Sequence, residues 1–298
     1  MRLVLVVLVF ALVAAAAAML WQHRRYLHVR RDLAQDRQPL LYGGSSFHVL
    51  TFLHVRDGED VIDAVRGLHA STRGLAGVRW VYAGKVALNG NASSQLGEVD
   101  WSAVVLLQYP SLEAYEEAAR TEGYRRALAR FAESYSQGFA RSPWINLMIP
   151  QGLLVRRMQQ VVTREPSSFP FESVAEGELP ERARGFLERL RAERALGANA
   201  VVVANLVKRG TPAQQAADRG YVGRMMGAMA EGGYGPLHLG RAVRVEGDHD
   251  FDAVALVYYP GVDFFADMVR SRFFQGIIDG KQLGDTQASI TVPILDRL

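Results

Sequence analysis

Residues 101–124, WSAVVLLQYPSLEAYEEAARTEGY, and residues 251–274, FDAVALVYYPGVDFFADMVRSRFF, are two versions of one stretch at a constant offset. Ala103, Val104, Leu106, Tyr109, Pro110 and Arg120 meet Ala253, Val254, Leu256, Tyr259, Pro260 and Arg270. Other positions differ by conservative exchanges such as Trp101 for Phe251 and Tyr115 for Phe265. Each copy has the pattern of a strand, a turn and a helix. Val104–Tyr109 and Val254–Tyr259 are short apolar runs rich in strand formers, and Pro110 and Pro260 end them. Ser111 then suits a helix N-cap, with Leu112, Tyr115, Ala119, Leu128 and Phe131 at helical spacing and a break expected at Gly123.

The likeness extends outward. YAGKVALNG (82–90) parallels HLGRAVRVEG (238–247), each an alternating strand closed by a glycine-containing turn. Helices are expected before these at 58–75 and 212–230, the second opened by Thr211, Pro212 and Gln214 in a capping box. Strands FHVLTFLHV (47–55) and NAVVVANLV (199–207) precede the helices, and WINLMIP (144–150) and ASITVPI (288–294) supply a closing strand to each copy. The order strand–helix–strand–strand–helix–strand, twice, is that of the ferredoxin-like unit, an α+β fold. Such a sheet has helices on one face and a bare apolar face on the other. Two copies in one chain bury both bare faces, so the expected fold is a pseudo-dimeric α+β barrel.

The expected organisation is a membrane segment at 1–22, a basic linker at 23–45, repeats at 46–150 and 199–298, and between them a linker at 151–198. That linker holds a Pro/Ser/Glu-rich stretch (165–180) and an amphipathic helix at 180–197, whose charges form a solvated face. Residues 3–21 are an uncharged run long enough, as a helix, to cross the hydrocarbon of a bilayer. Trp21 and Tyr26 suit its interface. A cleaved signal peptide is the alternative, opposed by the arginines that follow directly. Those arginines can rest on anionic headgroups and place the repeats in the cytoplasm by the positive-inside rule; an exported, periplasmic protein is the other possibility.

The chain has 298 residues, 49% hydrophobic and 22% charged, as in a folded protein with a core. With no cysteine, disulfides and thiolate metal sites are excluded. The net charge is +3, but residues 1–37 alone carry +4, so the folded part sums to −1. That distribution gives no basic stripe for nucleic acid.

The second copy, with Gly232-Gly233, Gly240, Glu246-Gly247, Tyr259-Pro260 and Phe274, resembles domain-of-unknown-function family 1330 of the dimeric α+β barrel superfamily. The first copy is similar through Gly84, Asn89-Gly90, Tyr109-Pro110 and Tyr124. The family's tyrosine is replaced by Phe274, and the arginine that follows it there has a match only in the first copy, Arg130. The resemblance covers about two-thirds of the chain and implies fold rather than activity. The superfamily includes cofactor-free oxygenases, lactone isomerases and tandem-repeat haem proteins. The haem proteins place a ligand histidine on a helix of the second repeat, and neither helix expected there has one.

Chemistry is sparse. His48 and His54 share a strand face but stand about 20 Å apart. No His-x-x-x-His or His-x-x-Glu pair falls on a helix, and no nucleophile elbow, phosphate loop or dinucleotide fingerprint is present. Neither metal nor cofactor is therefore expected. The polar candidates for a pocket between sheet and helices are Asn205, His238 and Tyr259 in the second repeat, and His48 and Tyr109 in the first. They offer donors and acceptors to a quinone-like or phenolic molecule. Arg120 and Arg270 are expected in helix-surface salt bridges, and MMGAM (225–229) as core. The expected function is a membrane-anchored binding or scaffold module; the alternative is a cofactor-independent oxygenase or isomerase. Its partners would be bilayer lipid, a hydrophobic small molecule and, as an open possibility, a second copy of itself.

Overall fold

A computed structural model describes residues 2–192 and 200–298. The end of the expected 180–197 helix, from 193, and Asn199 of the expected 199–207 strand lie outside the described residues. The chain begins with a long helix, α1 (Arg2–Val29). Then come β1 (Phe47–His54), α2 (Val61–Thr72), β2 (Arg79–Asn91), β3 (Ala103–Tyr109), α3 (Leu112–Arg120), α4 (Glu122–Leu128) and β4 (Glu133–Ala140). Two helices follow, α5 (Ile145–Thr163) and α6 (Glu181–Ala192). The remainder is β5 (Val201–Lys208), α7 (Pro212–Gly232), β6 (Gly235–Arg244), β7 (Ala253–Tyr259), α8 (Val262–Val269), α9 (Arg272–Gln275) and β8 (Asp285–Pro293).

The eight strands close into an antiparallel barrel in the order β1–β3–β2–β8–β5–β7–β6–β4. Around the ring the first half reads β4–β1–β3–β2 and the second β8–β5–β7–β6, the same order in each. The halves are sewn edge to edge: Gly84 to Asn91 of β2 pair with Pro293 to Ala288 of β8, and Gln137 to Ala140 of β4 pair with Arg244 to Arg241 of β6. Strand alternation separates the two faces. On β1, Leu50 and Phe52 join a cluster with Val202, Ala204 and Leu206 across the barrel interior. Val49 and Leu53 join Val65, Leu68 and Tyr115 beneath the helices.

Local signals hold where caps specify them. Asp60 accepts from the backbone N–H groups of Ile62 and Asp63, Ser111 from that of Ala114, and Thr211 and Gln214 form a reciprocal capping box. The helix expected through residues 112–128 breaks at Thr121, not at Gly123, because Thr121 ends α3 and caps α4 by accepting from Tyr124 N–H. Arg120 and Arg270 do make helix-surface ion pairs, with Glu116 and Asp267. Met225, Ala228 and Met229 are core.

The closing strand of the first half is not WINLMIP. Residues 145–163 are helical, and the strand is the polar segment ESYSQGFA of β4. Its polar groups are satisfied in place, which hydropathy does not register. Ser136 Oγ bonds Thr51 Oγ1, Gln137 donates to Val243 O, and Tyr135 donates to Gln137 Oε1. Gly138 leaves room for the Phe47 ring, whose nearest atom would stand 2.4 Å from an added Cβ.

The segment expected to be a free basic linker is also structured. α1 runs on past Trp21, and its last turns and the residues up to Tyr42 lie across one mouth of the barrel. Gln35 bridges Tyr82, Asp36 N–H donates to Val81 O, and Leu33 and Tyr42 are buried. Arg30, expected on headgroups, is buried against the barrel. Among the described residues one helix, α1, is long and apolar enough to cross a membrane, with Leu5, Phe10, Leu12 and Val13 among its exposed side chains.

Candidate functional site: the barrel mouth under the first helix

The mouth under α1 is assembled from four places. β1 contributes His48 from its first turn inward, β6 contributes His238, the segment after β4 contributes Arg141 and Asn146, and the crossing N-terminal segment contributes Tyr26, Arg30 and Tyr42. An irregularity in β6 between Pro236 and His238 resets the strand's facing, and His238 then pairs with inward-facing Leu256.

Arg141 is the hub. It donates through Nη1 to Tyr42 Oη (2.8 Å) and to His238 Nδ1 (2.7 Å), and through Nη2 to Asn146 Oδ1 (3.0 Å). Because His238 Nδ1 accepts, its proton sits on Nε2. Tyr42 in turn donates to Gln38 Oε1. His48 stands edge-on to Tyr42, ring centroids 4.9 Å apart, and both its nitrogens lack a hydrogen-bond partner among the described residues. Burial, with the charges of Arg141 and Arg79 adding, pushes the His48 ring down to about 2. Burial, then Arg141 and His48, hold His238 well below its ordinary value. Both rings are neutral near pH 7.

Arg30 forms the other side. Its guanidinium lies 3.5 Å from the Tyr26 ring centre and 5.1 Å from that of Tyr258, and Nη1 donates to Tyr26 O and Gly233 O. Tyr26 and Tyr258 lock the helix end by donating to Pro236 O and Val29 O. Arg30 Nε and Nη2 and Arg141 Nε have no partner, and neither guanidinium meets a carboxylate among the described residues. Cation–π contact offsets about 1–2 kcal/mol of the cost of burying a cation, a cost of several kcal/mol for each. Two buried cations without an anion are an electrostatic deficit that an electron-rich ligand would relieve.

Beside this cluster a cleft of about 190 Å³ opens between α1, α5 and α7, lined by Gln22, Arg25, Tyr26, Leu153, Arg157 and Gly233 among others. Tyr26 and Gly233 form its inner wall and are the residues whose carbonyls hold Arg30.

Of the five residues singled out in the sequence, His48 and His238 meet at this mouth. The other three lie on the outer, helix side of the sheet, where the pocket was expected, and the two histidines depart from that expectation by facing the barrel interior. Tyr109 packs beneath α3 against Tyr115 (5.2 Å), and Tyr259 packs between Tyr234 and Phe265 beneath α8. Asn205 donates to Val203 O and Ala255 O. Arg30, Arg141 and Tyr42 were not foreseen. The signal for Arg30 was its place at the end of an unbroken helical pattern; Arg141 had none, since it follows a strand that hydropathy conceals.

No family model matches the chain, and no curated protein matches it. Among solved structures it is similar to a "Putative monooxygenase" of Fusobacterium nucleatum subsp. nucleatum, at 12% identity and TM-score 0.42, over 85% of this chain and 94% of that one. It is similar to a mutant chlorite dismutase of Candidatus Nitrospira defluvii at 11% and 0.42, over 88% and 97%. A "putative monooxygenase" of Lactobacillus acidophilus matches at 9% and 0.39, over 84% and 94%. At such identities no residue role or activity passes to this chain.

Proposed function

We propose that the protein is a membrane-anchored, non-catalytic binding module that takes a hydrophobic small molecule with an electron-rich oxygen, such as a quinone or phenolate, at the anchor-side mouth. In this reading the barrel is two ferredoxin-like βαββαβ halves of the kind seen in domain-of-unknown-function family 1330, supported by the repeated strand order. α1 stays in the membrane, with the barrel on the cytoplasmic side, supported by the exposed Arg24, Arg25, Arg31 and Arg37 that follow the apolar run.

One observation carries the reading: Arg30 and Arg141 are buried without carboxylates at the mouth next to the span. Donors of that kind favour an acceptor oxygen on a ligand arriving from lipid. The alternative, a cofactor-independent oxygenase or isomerase, needs a base matched to neutral pH. His48, held at about 2, is far too weak a base for that role.

Extraction of the full chain with its lipid by an amphipathic copolymer, followed by mass spectrometry of bound small molecules, tests it. A stoichiometric lipophilic compound is expected in the wild type and absent from Arg141→Met. An identical small-molecule profile in both would sink the binding reading. Digestion of the barrel by protease added outside spheroplasts would sink the sidedness.

A further inference from the structure

Apolar side chains normally gather inside, so a cluster left outside beside a candidate span calls for a reason. α5 begins with Trp144 and Met148, 56% and 53% exposed, and the crossing segment carries Leu40 and Leu41, 39% and 44% exposed. These two pieces are tied together: Asn146 Nδ2 donates to Pro39 O at 2.6 Å, and Tyr42 N–H to Pro143 O at 3.0 Å. They are tied equally to the end of the span. Gln151 donates to Met19 O and Gln22 donates to Pro150 O. Leu20 and Trp21, the exposed end of the apolar run, therefore stand beside them.

We infer that Leu40, Leu41, Trp144 and Met148 form an apolar collar immersed in the bilayer interface, holding the barrel mouth against the membrane. The inference rests on α1 being a membrane span, and continuity with that span identifies the occupant as lipid. A helix exits the bilayer at about the level of its interfacial tryptophan. Side chains bonded to the backbone at Met19 and to Gln22 share that level, where Trp and long apolar residues partition favourably. The collar also explains the composition of WINLMIP. Trp144 and Met148 are apolar because they face lipid, and Ile149 because it is buried against the barrel, not because the segment pairs in a sheet. With the collar immersed, the cleft walled by Gln22, Arg25 and Tyr26 opens at headgroup depth, and a lipophilic ligand reaches it without crossing water.

The absence of native cysteine makes every introduced cysteine unique. Val9→Cys in the span, Leu41→Cys and Met148→Cys in the collar, and Asp248→Cys at the far end are each labelled on the full chain with an environment-sensitive fluorophore. The chains are reconstituted in vesicles of phosphatidylcholine and phosphatidylglycerol with nitroxide-bearing lipids. Labels at 9, 41 and 148 are expected to emit in the blue. Shallow nitroxides should quench 41 and 148 more than about threefold over the label at 248. Quenching at 9 with water-like emission at 41 and 148 would overturn the collar and leave the span. No quenching at 9 would overturn the span and the collar with it. Blue emission at 41 and 148 without quenching by lipid would mean a protein covers the patch, and that too overturns it.

Discussion

The two mouths of the barrel solve the same problem differently. At the far mouth, where β2, β5 and β7 meet the start of β8, charges are exposed or answered within the chain. Asp285 accepts from Ser93 Oγ, Gln95 Nε2 and the backbone N–H groups of Ser94 and Gln95. Burial raises its carboxyl, but those bonds outweigh it and hold it below the usual range. Lys208 bridges Asp250 beside it, and Asp252 accepts from Arg209 N–H. At the mouth under α1 the surface arginines Arg79 and Arg157 meet Asp36 and Glu231, but the two buried ones, Arg30 and Arg141, meet no carboxylate among the described residues. The first arrangement is what stability alone produces; the second leaves room for something from outside the chain.

Acid should separate the two mouths most sharply. His48 and His238 stay neutral in the fold, while an unfolded chain protonates both below about pH 6.5. The unfolded state then binds more protons, so stability falls as pH drops from 6.5 toward 2. For His48 the loss is about 1.4 kcal/mol per pH unit, or roughly 2.7 kcal/mol by pH 4.5, and His238 adds to it in the same direction. Denaturant unfolding across pH in detergent is expected to show this slope, and His48→Leu should make it shallower. A flat profile in the wild type would mean water reaches the rings.

Asp285→Ala comes next. It removes the acceptor of five donors at a partly exposed site and should cost about 2 kcal/mol, read as a lower unfolding midpoint at pH 7. The smallest effect belongs to Arg141→Met. Removing a buried cation that has no anion offsets the lost hydrogen bonds, so the midpoint should move by less than about 1 kcal/mol in ligand-free protein. A loss as large as that of Asp285→Ala would make Arg141 a structural residue and erase the contrast between the mouths.

The sequence carried the strands of the duplicated stretch, because burial on both faces makes Val104–Tyr109 and Val254–Tyr259 continuous apolar runs. It concealed β4, where side-chain hydrogen bonds stand in for hydrophobicity, and it advertised residues 144–150 as a strand because a helix that exposes Trp144 and Met148 while burying Ile149 leaves an unbroken apolar run. His48 and His238 stood out as lone polar groups on strands. The facing of His238 depends on an irregularity in β6 that alternation cannot reveal, so it turns into the barrel, while Asn205 and Tyr259 keep the helix side of the sheet that was expected for all three. Arg30 was counted with its neighbours in a surface cluster, since nothing in a run of arginines tells which one a fold will bury.

Every strand of the ring has a hydrogen-bonded neighbour on both sides. The sheet thus offers no edge on which another copy could add a strand. Lateral association between copies, where it occurs, must therefore pass through helix faces rather than backbone pairing.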